Sequence, residues 1–271
     1  MNVVSLSIFG YNKKHSQCFS FNTFLKYLSF DIRVFDSVYN GWKIYLTADR
    51  ESYLAYKKYF DYLADNNIIL LNVKDYENIG KAMLWRLDPV SFADRFICRD
   101  IDSLPTHRER MAVEHWIIND TIAHSMNDNL AHTVPLMGGM IGFKKESFTI
   151  VIYNEIEFDL SHKGSDQYFL QYYIYPLVMH SITEHRILGM PVNKQNKYST
   201  DKILSIECDT KCSPECNGFI KFMGEPYSFN AINNNNKIVP YWFKNCNQEL
   251  HEKLCAIEKE YREVFDYEKN I

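Results

Sequence analysis

Phe96-Ile97-Cys98-Arg99-Asp100-Ile101-Asp102-Ser103 is an apolar strand that runs directly into an Asp-x-Asp pair. In open α/β sheets, ligands bind at the carboxyl ends of the strands. In extended backbone, residues i and i+2 point the same way. Asp100 and Asp102 are therefore expected to converge on one point just past a sheet edge. Two carboxylates there make a hard oxygen site suited to Mg2+ or Mn2+, ions that take substrate phosphate oxygens into their shell. A bare Asp-x-Asp also serves as a turn or a helix cap, so its surroundings decide the reading.

Upstream, strand and helix patterns alternate. Val3–Phe9 is an apolar run ending at Gly10, and His15–Phe30 has helical spacing. Trp42–Thr47 reads as a strand, Arg50–Leu63 as a helix and Ile68–Val73 as a strand. Ile79–Leu87 is helical again, and Arg95–Arg99 is the next strand. This alternation predicts an α/β fold with a mostly parallel central sheet flanked by helices. Downstream, Thr106-His107-Arg108-Glu109 is a capping box opening a helix whose stripe is Ala112, Val113, Trp116 and Ile117. Val134–Phe143 holds three of the ten glycines, Gly138, Gly139 and Gly142, where close backbone approach is expected. Ser165-Asp166-Gln167 reads as an N-cap and acidic first turn of a helix reaching Tyr175, just before Pro176. Asn193–Asn236 is polar and poorly periodic, and Glu249–Tyr267 is a charged amphipathic helix. The expected organisation is one Rossmann-like domain over 1–236, with a C-terminal helical extension over 237–271 packed on it.

Composition removes other classes. The chain has 271 residues, enough to bury a core without staples. Thirty basic against 34 acidic residues give a net charge of −4, so no bulk basic footprint for nucleic acid exists. No apolar run reaches membrane-spanning length. Met1–Gly10 lacks a basic n-region and a cleavage site and reads as a first strand, so a cytoplasmic location is expected. Seven cysteines argue against a complete disulfide framework. Cys18, Cys98, Cys246 and Cys255 read as small buried residues. Cys208, Cys212 and Cys216 recur every four residues, a spacing that does not require zinc.

Several further stretches keep a common order and spacing. They are Trp85-Arg86-Leu87, Arg99-Asp100-Ile101-Asp102-Ser103, Arg108-Glu109 with Ala112-Val113 and Trp116, His132 with Pro135, Gly138-Gly139 and Gly142, and Asp166-Gln167 with Leu170 and Pro176. In this the chain resembles GT-A-fold glycosyltransferases, and more narrowly a small group from large DNA viruses of algae with bacterial relatives. Val3 to Gly224 carries the resemblance. It implies a nucleotide-diphosphate sugar as donor, UDP favoured, a glycan or other hydroxyl acceptor, and Mn2+ or Mg2+. If the chain is viral, the host cytoplasm is its implied location.

The resemblance also implies roles. Asp100 and Asp102 hold the metal, with His185 (or His180) completing its shell. Ser5, Ser7, Phe9 and Gly10 edge the nucleotide pocket. Arg86 and Arg99 approach the diphosphate or the Asp pair. Gly138 and Gly139 let backbone approach the sugar, and Lys221 is a possible phosphate contact. His132 faces the sugar, and Asp166 meets the acceptor hydroxyl, as general base in an inverting enzyme. Two other classes stay open. One is a metal-dependent phosphohydrolase or nucleotidyltransferase, against which Leu104 and the motif's position near residue 100 both count. The other is a non-catalytic nucleotide- or glycan-binding module.

Overall fold

The computed structural model describes residues 1–11, 21–127, 134–149, 158–186, 203–205 and 248–261. Its strands are β1 (Asn2–Ile8), β2 (Lys43–Asp49), β3 (Ile69–Lys74), β4 (Arg95–Arg99), β5 (Ala123–Asn127), β6 (Met140–Lys144), β7 (Ile182–Arg186) and β8 (Ile203–Ser205). They form one sheet in the order β3-β2-β1-β4-β6-β5-β7-β8. β6 runs antiparallel to both β4 and β5; every other pairing is parallel. The expected α/β class and mostly parallel sheet are what the structure has. β8 lies inside the stretch whose polarity reads as loop.

The sheet separates two cores. Side chains alternate across a strand, so Val4, Leu6, Ile8, Ile44, Leu46 and Ile97 enter one core. Val3, Tyr45, Phe96 and Cys98 enter the other. The first, called the back face here, is covered by α1 (Phe21–Val38), α3 (Lys57–Asp65), α5 (His107–Asn119) and α8 (Gln248–Glu258). The front face is covered by α4 (Ile79–Leu84), the 3-10 segment Trp85–Ser91, α6 (Ser165–Phe169) and α7 (Tyr175–Val178). Each fully buried Leu, Ile or Phe in these layers contributes about 1.5–3 kcal/mol.

Local chemistry explains where helices depart from the periodicity. The helix expected over Arg50–Leu63 is two. α2 (Arg50–Ala55) starts on Asp49, whose carboxylate accepts from Ser52 N at 3.0 Å. It breaks at Tyr56 (φ −124°, ψ 35°), whose ring packs against Phe21, Tyr11 and Tyr261. α4 begins on Asn78 and gives way at Trp85 to the 3-10 segment that contains Pro89. Proline clashes with the carbonyl four residues back, which here belongs to Trp85. Thr106 caps α5 as expected, accepting from Glu109 N at 3.2 Å. Ser165 is not the cap of its helix. Gly164 is, with φ 88°, and Ser165 Oγ instead donates back to His162 O at 2.7 Å. The turn that follows widens to a π-helix over Leu170–Ile174.

α8 is tied to the back face by Leu254 and Ile257 and by a buried ion pair, Arg33 Nη2 to Glu258 Oε1 at 2.5 Å. Glu258 also accepts from Ser29 Oγ. The helix ends in a 3-10 turn at Lys259–Tyr261. The boundary expected at 236/237, His132, Cys18, Cys208, Cys212, Cys216, Cys246 and Lys221 lie outside the described residues. Cys98 is buried and Cys255 half-buried, both as free thiols.

Candidate active site

The site lies at the front face, where β1 and β4 end and β6 begins. Register fixes its members. Ser5 is level with Cys98 in the parallel β1–β4 pair, and Ser7, two residues on, points to the same face of β1 as Ser5. Phe9 continues that face, its ring 6.0 Å from both Tyr76 and Trp85. Gly10 turns away with φ 86°, and its N–H donates to Asp49 Oδ2 at 2.8 Å. Asp49 is a residue that motif reading missed. Its signal was the Asp-x-x-Ser cap directly after β2.

β4 ends at Arg99, and the chain turns at once. Ser103 Oγ donates to the Asp100 carbonyl at 3.2 Å. Asp100 and Asp102 are thus held on a turn rather than on extended backbone. They still act on one another. Burial pushes the Asp102 carboxyl up to about 6, and the Asp100 charge adds to the rise, against the pull of Arg86 and Arg99. Burial and then Asp102 also push the Tyr27 phenol up to about 12, which sets Tyr27 of α1 beside the pair.

Arg86 is the hinge of the cluster. Its Nε donates to Met83 O at 3.0 Å, its Nη1 pairs with Asp100, and its Nη2 lies 3.7 Å from Asp166 Oδ2. Its side chain is 5% exposed, Asp166 2% and Asp100 39%, so only Asp100 of the three opens to solvent. Burial pulls the Arg86 pKa down, but Asp100 and Asp166 raise it further, and the guanidinium stays charged. Burial holds the Asp166 carboxyl above its ordinary value, with Arg86 opposing and Asp100 reinforcing the rise.

The two glycines are explained by this packing. A Cβ on Gly139 would overlap the Asp100 carboxylate. One on Gly138 would fall 2.6 Å from Gln167 Nε2 and 3.0 Å from Arg86 Nη2. Side chains of the cluster itself are what approach these two glycines closely. Gln167 closes the gap by accepting from Gly138 N at 3.3 Å; turned over, its amide accepts at 3.0 Å and donates to Leu136 O at 3.1 Å.

Two expected members are elsewhere. Arg99 is the neighbour of Asp100 and so points to the back face. There it is 1% exposed, pairs with Glu109 at 3.1 Å and donates to Gly139 O at 2.8 Å and Ser103 Oγ at 3.2 Å. It braces the turn from behind instead of facing a ligand. Glu109 also accepts from Tyr39 OH.

His185 is also on the back face, on β7, three strands from β4. At about 4.8 Å per strand that is roughly 14 Å sideways. Its Nδ1 meets His124 Nε2 at 2.8 Å and its Nε2 meets His115 Nδ1 at 3.4 Å. His124 in turn stacks on Trp116. Burial, then His115, pushes His185 down to about 4, and burial holds His124 well below its ordinary value. These rings bond one another and stand three strands away from the Asp pair. His180 is exposed just before β7 begins, at the opposite sheet edge. Among the described residues no three His, Cys, Asp or Glu side chains converge as a metal cage.

No known protein family and no curated protein matches the chain. Solved structures do. Residues 1–349 of S. aureus TarS share 13% identity over 68% of this chain and 58% of that one, with a TM-score of 0.40. The same TarS fragment in complex with UDP-GlcNAc gives 12% identity, 68% and 55% coverage and a TM-score of 0.40. The mannosyltransferase PcManGT from Pyrobaculum calidifontis, in complex with GDP-Man and Mn2+, gives 12% identity, 67% and 53% coverage and a TM-score of 0.43. The chain thus spans a little more than half the length of these structures. Among the described residues no helix is long and apolar enough to cross a membrane.

Proposed function

We propose that the chain is a metal-dependent glycosyltransferase that moves a sugar from a nucleotide-diphosphate donor, UDP-linked in preference, to a hydroxyl of a glycan or other acceptor. The observation that carries this reading is the acidic cluster at the open edge of the sheet: Arg86 pairs with Asp100 and lies 3.7 Å from Asp166, and Asp102 stands close enough for the Asp100 charge to raise its pKa.

The donor set fits a divalent metal ion. Asp100 and Asp102 offer hard oxygens, and Mg2+ or Mn2+ bound by one or two carboxylates completes its shell with water and phosphate oxygens. When bound there, the metal supplies Lewis-acid stabilisation of the charge that builds on the leaving diphosphate.

The chain's own residues do the positioning. Arg86, fixed by Met83 O and Asp166, orients the Asp100 carboxylate. Arg99 and Ser103 hold the turn that carries Asp102. Ser7 and the Phe9–Tyr76–Trp85 aromatic group edge the ground beside Asp100, where the nucleoside would lie. Asp166, shut in against Arg86, serves as an anchor of that arginine rather than as a base touching the acceptor.

The test is calorimetric titration of UDP and GDP with Mn2+, Mg2+ or EDTA, on the unmodified chain and on Asp102→Ala. The reading expects metal-dependent binding that the substitution removes, followed by hydrolysis or transfer of the matching nucleotide sugar. Binding of neither nucleotide with either metal would sink it. Phosphate release from simple phosphoesters without an acceptor would favour the phosphohydrolase instead.

A further inference from the structure

Two segments of the front face touch at two points. α4 begins at Ile79 and leads into the 3-10 segment that carries Arg86. α6 begins at Ser165, the residue before Asp166. The far contact is the pair already described, Arg86 Nη2 to Asp166 Oδ2 at 3.7 Å. The near contact is Gly80. Its N–H has no partner within the helix, because it lies in the first turn of α4. It donates instead to Leu160 O at 2.9 Å. Leu160 itself is buried in the front core with Leu84, Leu87 and Phe169.

Backbone conformation does not call for glycine at this position. The φ of Gly80 is not positive, unlike those of Gly10, Gly41 and Gly164, and glycine is a poorer helix residue than alanine. Space is what requires it. A Cβ would overlap Ser165 Oγ, and it would stand 2.5 Å from Leu160 O and 3.0 Å from Leu160 Cβ. Leu160 O is a backbone atom, so it retreats only by moving the chain that leads into α6. To admit the Cβ it must retreat from 2.5 Å to at least 3.0 Å. The far contact tolerates less than that. Ion pairs extend to about 4 Å, and Arg86 and Asp166 already stand 3.7 Å apart. A retreat of α6 from α4 therefore takes Asp166 out of pairing range. Both side chains are buried, so water does not take its place.

We propose that Gly80 is a positioning residue for the Asp100 cluster. By lacking a Cβ it seats α6 against α4, which keeps Asp166 on Arg86 and Arg86 on Asp100. That the cluster binds a nucleotide rests on the transferase reading; that Gly80 sets its geometry does not.

The experiment is a double-mutant cycle of Gly80→Ala and Asp166→Asn on the full chain. The first readout is hydrogen exchange at the Arg86 Nε–H, followed by NMR and assigned by its disappearance in Arg86→Lys. In the unmodified chain this buried proton is bonded to Met83 O and exchanges slowly. Each single variant should speed its exchange about tenfold, and the double variant no further. The second readout is UDP affinity with Mn2+. It should fall about tenfold or more in each single variant and no further in the double. Urea unfolding is the control, since a packing loss at Gly80 lowers stability equally in both backgrounds. Should Gly80→Ala fail to fold, Ser165→Cys presses on the same contact with a larger atom and takes its place in the cycle. Unchanged Arg86 exchange in the Gly80 or Ser165 variant, or an effect that adds in full to that of Asp166→Asn, would overturn the proposal. If the unmodified chain binds no nucleotide, the transferase reading falls and Arg86 exchange alone decides on Gly80.

Discussion

The two faces of the sheet, compared at the level where β4 ends, hold opposite kinds of buried polar chemistry. On the front, Asp100, Asp102 and Asp166 outnumber Arg86, and Asp100 reaches solvent. On the back, Arg99 answers Glu109, and His185 bonds both His124 and His115. The front cluster is acidic and opens to solvent at Asp100, whereas Arg99, Glu109, His124 and His185 on the back are all buried. On the proposed function, the difference separates groups that would bind a ligand from groups that hold the fold. It also sorts the two expected site residues that the structure relocates, Arg99 and His185, since both are on the back.

The largest effect should come from breaking the back face. Arg99→Met leaves Glu109 buried without its guanidinium, and such a loss costs about 3–5 kcal/mol. Urea unfolding should show a fall of that order. A change below about 1 kcal/mol would mean that Arg99 does not brace the turn.

Asp102→Ala leaves the Arg99–Glu109 pair in place. Metal-dependent nucleotide binding should weaken about a hundredfold, equivalent to roughly 2.7 kcal/mol, while the melting temperature hardly moves. Equal loss of stability and binding would show that the pair is structural.

Acid separates the faces next. His185 and His124 have folded-state pKa values below the unfolded value near 6.5. The unfolded chain therefore takes up protons first as pH falls. The contribution of His185 is fully present above pH 6.5 and is lost as pH drops toward about 4, and that of His124 is lost in the same direction. For His185 that is on the order of 3 kcal/mol. Urea midpoints measured from pH 7 to pH 4 should fall accordingly, and a flat profile would contradict the lowered pKa values.

The smallest effect sharpens the contrast. His185→Leu should cost about 1–3 kcal/mol by leaving His124 and His115 short of a partner. It should change metal-dependent nucleotide affinity less than about twofold, since a residue outside the metal shell has no term to lose there. A large loss of metal affinity would restore His185 to the shell.

Much of this was legible in the chain. Strong alternation marked β1 to β4, and the Asp-x-Asp ending and Trp85-Arg86 marked the front cluster. What escaped did so for physical reasons. β5, Ala123-His124-Ser125-Met126-Asn127, has the polarity of a loop, yet all five residues are buried. Its polar atoms find partners that only the tertiary fold supplies: His185 for His124, Pro135 O for Ser125 at 2.6 Å and Val134 O for Asn127 at 3.2 Å. The glycine pair was marked as a place of close approach, but the sequence could not say that Asp100 and Arg86 were what approached. Arg99 was misplaced because a motif read as a string does not show that adjacent strand residues face opposite ways.

That alternation at Arg99 and Asp100 makes β4 a mechanical link as well as a wall. The networks on the two faces are joined by one peptide plane, which twists only at considerable cost. Glu109 grips Arg99 from the first turn of α5, and Arg86 grips Asp100 from the other side. Adjacent residues of this one strand end thus tie α5 on one face and the Trp85–Ser91 segment on the other to the same peptide.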